Sequence, residues 1–137
     1  IQVRKELTDE WDSHGVKQGV EYAILTDEIT KAWSGMTTRQ YKNLKGLKKE
    51  NLRDNMSTLE LVLNMLAEAT TTEISKEKNP QSFSENRSVA KEGGDVDGNA
   101  RKDIEERTGK PVITSKHAVD FSNLISDVIE NDVDKNE

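Results

Sequence analysis

General acid-base or nucleophilic chemistry needs a histidine, carboxylate or hydroxyl held beside a group that tunes it. The 137-residue chain has two histidines, His14 and His117, and no cysteine. His14 falls where a helix is expected to end, so its imidazolium would meet the helix dipole favourably, and His117 sits in a polar approach to a later helix. Both read as surface or capping residues. Asp95, Asp97, Asn99 and Glu106 fall at positions 1, 3, 5 and 12 of a calcium loop. The sixth position, however, carries Ala100 where the sharp turn requires glycine, and a helical stripe of Val96, Ala100 and Ile104 runs through the same residues. Gly93, Gly94 and Gly98 lack the Lys-Ser/Thr that completes a phosphate loop. These absences point to no enzyme, no metal and no cofactor.

A basic segment is the more informative constellation. Between residues 39 and 53 the chain places Arg39, Lys42, Lys45, Lys48, Lys49 and Arg53 against the single acid Glu50. Two short helices joined at Gly46 would have the length of a helix-turn-helix, from whose second helix Lys48, Lys49, Asn51 and Arg53 reach phosphates or base edges, which makes the six basic residues the candidate nucleic-acid or partner contact. The plainer reading is a solvated helix face. The whole chain carries a net charge of −6, which weakens attraction to a polyanion. From residue 120 onward six acids stand against Lys135, so basic centre and acidic end are separate features.

The elements that must position these residues are helical. Val3, Leu7 and Trp11 recur every four residues before Gly15, and Ile24, Leu25, Ile29, Ala32 and Trp33 keep helical spacing up to Gly35. Thr37 with Gln40 and Ser57 with Glu60 form capping boxes, in which each side chain satisfies a backbone donor left free at a helix start. The second box opens a helix whose apolar face reads as Leu59, Val62, Leu63, Leu66, Ala67, Ala69 and Ile74. Polar residues 79–84 and the Gly93-Gly94 pair then predict a flexible connection, with Gly109 and Pro111 ending a further helix. Phe121, Leu124, Ile125, Val128 and Ile129 follow an i, i+3, i+4, i+7, i+8 pattern, which predicts an amphipathic interface helix over 120–130.

The expected architecture is all-α: an irregular, elongated bundle of about six to eight short-to-medium helices. Its parts would be a helical core over 1–76, a flexible connection over 77–95, C-terminal helices over 96–130 and an acidic disordered tail over 131–137. Leu, Ile, Val and Phe supply 30 of the 137 residues, just above the level of roughly 20% below which charged chains stay disordered. The core must be small, so burial completed by a partner or a homodimer fits. No apolar run approaches the roughly 18 residues of a membrane span and no signal peptide opens the chain, which points to a soluble cytoplasmic protein. Ile1 at the start points to a fragment of a longer protein.

Tyr22-Ala23-Ile24, Lys45-Gly46-Leu47-Lys48-Lys49, Asp54-Asn55-Met56 and Thr58-Leu59-Glu60-Leu61 together resemble the C-terminal half of the DNA-damage-inducible protein D (DinD) family and related prophage antirepressors. Asn99-Ala100-Arg101-Lys102 extends the resemblance to about residues 1–115. It implies a two-part protein in which an N-terminal BRO-type domain, missing from this chain, is the part associated with DNA. It implies no catalytic activity and transfers no functional residue. Three roles follow as expectations. The first is an interaction domain binding a protein in the DNA-damage response or prophage regulation, such as a recombinase filament on single-stranded DNA. The second is direct nucleic-acid binding through the 39–53 segment, and the third is an oligomerisation module using 120–130.

Overall fold

A buried row of Leu25, Ile29 and Trp33 on one helix, in one cluster with Leu7 and Trp11 of another, forms the centre of the structure, a computed structural model that describes residues 2–115. These residues recur every four positions, the spacing that keeps side chains on one face of a 3.6-residue turn. Helix α1 spans Gln2–Ser13, α2 Val20–Ser34, α3 Thr38–Leu44, α4 Thr58–Lys78 and α5 Phe83–Thr108. A single 3-10 turn, Arg53–Asn55, precedes α4. Every regular element among the described residues is helical, so the all-α class stands, with five α-helices there rather than six to eight. Helices α2, α4 and α5 pack on one another, and α1 lies along α4.

Local chemistry sets the helix ends. Both capping boxes form: Thr37 accepts from the Gln40 amide at 3.1 Å and Ser57 from that of Glu60 at 3.2 Å, and each residue three on reaches back. Gly35 ends α2 in the left-handed region at φ 79°, a conformation glycine adopts without the Cβ penalty. Within α2 the hydroxyls of Thr26, Thr30 and Ser34 each bond the carbonyl four residues back, so these polar groups are satisfied without a partner helix.

The flexible connection expected over 77–95 is not there. Only residues 79–82 lie between α4 and α5, and α5 continues through Gly93, Gly94 and Gly98. The glycines permit contact instead of breaking the helix. A Cβ on Gly93 would fall 2.8 Å from the Thr71 backbone of α4, and one on Gly94 2.7 Å from the Ile29 carbonyl of α2. A Cβ on Gly98 would meet the Ala32 carbonyl at 2.7 Å. Backbone-to-backbone approach on two sides needs residues without side chains, and the contact overrides the weak helix preference of glycine.

The face of α4 also differs from expectation. Leu63 and Ala67 are buried, but Leu59, Val62 and Leu66 are 41%, 54% and 43% exposed. Inward instead lie Glu60, Asn64, Glu68, Thr71, Thr72 and Ser75. Most of these have partners across the bundle that water would otherwise replace: Asn64 accepts from Trp33 Nε1 at 3.3 Å, and Ser75 donates to Glu10 at 3.0 Å. Thr71 is the small residue against which Gly93 packs. The orientation of α4 is therefore set by fixed polar partners and by the width of the α5 seam.

Gly94→Ala tests the seam. Alanine is the better helix former by about 1 kcal/mol, yet the variant is expected to lose roughly 1–3 kcal/mol in urea unfolding because the Ile29 backbone cannot retreat.

Candidate partner-binding cleft

Helix α3 and the loop after it carry the basic segment, and the structure separates its members. The second helix expected over 47–56 does not form: residues 47–52 are irregular and lead into the 3-10 turn. The helix-turn-helix reading falls with it. Glu50 organises the loop, accepting from the Lys48 amide at 2.6 Å, and this backbone hydrogen bond first of all holds its carboxyl below the usual range.

Lys45, read from sequence as a surface contact, is buried. Its Nζ lies 2.7 Å from Glu60 Oε1, and the side chains of both residues are 0% exposed. The Tyr41 hydroxyl donates to the other Glu60 oxygen, and burial followed by this bond pushes the phenol well above its ordinary value. Glu60 thus closes the capping box of α4 and anchors α3 to it. The ammonium is consumed by this internal pair and cannot meet a ligand.

The remaining cations of the segment except Lys49, together with Arg4 of α1, surround a cleft between α1, α2, α3, α4 and the loop. Two adjoining cavities of about 370 and 720 Å³ share Arg4, Thr26, Thr38 and Lys42 in their walls. Arg53 and Glu68 line the narrower one, and Arg39, Lys48 and Asp27 line the wider. Glu68 holds the inner end: its oxygens lie 2.9 Å from Arg4 Nη1 and 2.6 Å from Arg53 Nη2. Asp27 is taken by the Thr38 amide at 2.7 Å. Five cations therefore face two carboxylates that already have donors, which leaves the cleft positive inside an acidic chain. Arg39 and Lys48 are exposed, Lys42 and Arg53 half-buried, and Lys49 lines neither cavity.

Arg4 was not among the residues singled out from the sequence. It is one charged position on α1, and its contacts to Glu68 and to Thr26 at 2.7 Å join segments far apart in sequence, while its guanidinium lies 5.3 Å over the Trp11 ring of the same helix. The interface helix expected at Phe121, Leu124, Ile125, Val128 and Ile129 lies outside the described residues, as does His117.

Other candidate chemistry resolves into structure. His14 Nε2 lies 2.7 Å from Glu10 Oε1 at the end of α1. Asp95, Asp97, Asn99 and Glu106 are all inside helix α5, where a calcium loop cannot form, and no group of three acidic, histidine or cysteine residues converges on a metal position among the described residues. Asp97 is fully buried, and neither of its oxygens meets a hydrogen-bond donor in the protein. Burial raises its carboxyl from 3.8 to about 7 against the pull of Arg101.

Two results are expected. Lys45→Ala should destabilise the fold by roughly 3–5 kcal/mol, because it strands a buried carboxylate, whereas exposed Lys48→Ala should stay within about 0.5 kcal/mol. For Asp97 the folded state holds its proton more tightly than the unfolded chain, so stability from this group is complete below about pH 4 and is lost as pH rises toward 7. Asp97→Asn cannot titrate. Its stability relative to the parent, measured by urea unfolding, should grow between pH 4 and pH 8 by on the order of 3 kcal/mol, and a constant difference would contradict the buried acid.

No helix among the described residues is long and apolar enough to cross a membrane. Searches of curated proteins and of solved structures find no match. The family model described as DinD C-terminal domain matches residues 1–113, which include all five helices and every cation of the cleft. The chain belongs to the DinD C-terminal domain family.

Proposed function

We propose that this chain is a non-enzymatic interaction domain acting in the cytoplasmic DNA-damage response, and that its basic cleft docks an acidic surface of a partner protein. The observation that carries this reading is the convergence of Arg4 of α1 with Arg39, Lys42, Lys48 and Arg53 of the 39–53 segment on one cleft of a chain whose net charge is −6. A localised positive cleft steers and orients an acidic partner, while the negative remainder suppresses unspecific contact with polyanions. The family's link to DNA damage makes a recombinase filament on single-stranded DNA the partner to test first.

Direct nucleic-acid binding is the second reading, favoured by the exposure of Arg39, Lys48 and Lys49 on α3 and the loop after it. A polyanion would be held through released counterions, so its affinity would fall steeply with salt.

The experiment is fluorescence anisotropy of the labelled chain against preassembled filament and against single-stranded DNA alone, across a salt series. Filament should bind more tightly than DNA alone. The combined change Arg39→Ala, Lys42→Ala and Lys48→Ala should weaken filament binding about tenfold or more and leave the fold intact. Equal affinity for bare DNA, with the same loss in the triple variant, would reassign the cleft to nucleic acid. Binding of neither would remove both readings.

A further inference from the structure

The two cavities of the cleft follow one another along helix α2. Val20, Ala23 and Ile24 wall the wider cavity alone, Thr26 is common to both, and Ile29 and Thr30 belong to the narrower. From Val20 to Thr30 a helix rises about 15 Å, the reach of about four to five extended residues at roughly 3.3 Å each. The cleft is therefore long enough for a stretch of chain and not only for a single ion.

Its outer end is aliphatic. Val20 is 74% exposed, Ala23 is exposed and Ile24 half-buried, and their i, i+3, i+4 spacing sets them on one face of α2. Positive charge, by contrast, runs the full length: Arg39 and Lys48 line only the wider cavity, Arg4 and Lys42 line both, and Arg53 lines only the narrower. Arg39 and Lys42 form no ion pair among the described residues, and Arg4 and Arg53 stay 28% and 27% exposed in spite of their bonds to Glu68. The two carboxylates of the cleft already have donors, Asp27 the Thr38 amide and Glu68 the two arginines.

This combination is selective. A uniformly acidic ligand would leave the Val20, Ala23 and Ile24 shelf uncovered. Single-stranded nucleic acid is held by stacking its bases on aromatic rings, and among the described residues no aromatic ring lines either cavity.

We infer that the cleft takes a short linear segment of a partner protein, about four to five extended residues long, in which aliphatic side chains are flanked by carboxylates. The aliphatic group lies on Val20, Ala23 and Ile24, and the carboxylates meet Arg4, Lys42 and Arg53 on the inner side and Arg39 and Lys48 on the outer. The inference rests on the reading of the cleft as a site for an acidic protein and adds what kind of acidic segment it accepts. Charge steers the segment in, and the aliphatic shelf discriminates among segments of equal charge.

The test follows the fluorescence anisotropy of two labelled peptides of equal charge with the whole chain: Ser-Asp-Glu-Leu-Leu-Asp-Glu-Ser, and the same peptide with both leucines replaced by serine. Acids on both sides of the leucines suit either chain direction. The leucine peptide should bind about tenfold more tightly or better, since partial burial of two leucines suffices for that ratio. Added salt should weaken both peptides and leave the ratio in place. Val20→Ser combined with Ala23→Ser, both at exposed positions, should abolish the ratio, whereas Lys42→Ala with Lys48→Ala should weaken both peptides and preserve it. Equal affinity of the two peptides for the parent chain would overturn the inference while leaving the acidic-partner reading intact, because charge alone would then be read. Binding of the recombinase filament without binding of either peptide would overturn it in favour of a folded acidic surface. Tighter binding of oligothymidylate than of the leucine peptide would overturn it in favour of nucleic acid. Binding of neither filament nor peptide would overturn it together with the reading beneath it.

Discussion

The close approach of α5 to both α2 and α4 is the constraint on which the other arrangements rest. Gly93 faces α4, while Gly94 and Gly98 face α2, each at a distance where a Cβ would strike a neighbouring backbone or its side chain. A helix interior with three glycines gives up roughly 1 kcal/mol of intrinsic preference per residue. What offsets this is contact density: with no side chains between them, three helices share one narrow seam, and the few large apolar residues of the chain suffice to fill what remains. Trp11, Trp33, Tyr41, Leu7, Leu25 and Ile29 are the largest of those fully enclosed.

A seam this narrow dictates what α4 turns inward. Thr71 fits beside Gly93, and the polar residues buried on the same helix are brought in with it. Burial of Glu60, Asn64 and Glu68 is tolerable because each meets donors: Lys45 and Tyr41, the indole of Trp33, and the paired arginines 4 and 53. Such pairs add little net stability compared with apolar packing, but removing one partner is costly, so they fix orientation more than they strengthen it. The leucines on the other side of α4 are left outward as a consequence.

The cleft follows from the same polar anchors. Glu68 draws Arg4 of α1 and Arg53 of the loop to one point, and Glu60 ties α3 to α4 through Lys45, which carries Arg39 and Lys42 to the rim. One lysine of the basic segment is thereby spent on architecture while its neighbours stay available. In sequence the two kinds cannot be told apart, since both belong to a basic run with no mark of which carboxylate each will meet.

Much of the secondary structure was legible in the sequence because its causes are local. Four-residue apolar spacing, both capping boxes and the glycine ends of α2 and α5 act within a few residues, and the structure reproduces them. Family membership was also legible, through short motifs in the first half of the chain. Tertiary structure alone decided whether Gly93-Gly94 broke a helix or allowed contact, because that depends on what lies 3 Å away rather than on neighbouring residues. It decided that polar residues of α4 face inward, that Lys45 is internal and that Arg4 joins the cleft, since a charge is given its role by a partner that the chain brings near only on folding.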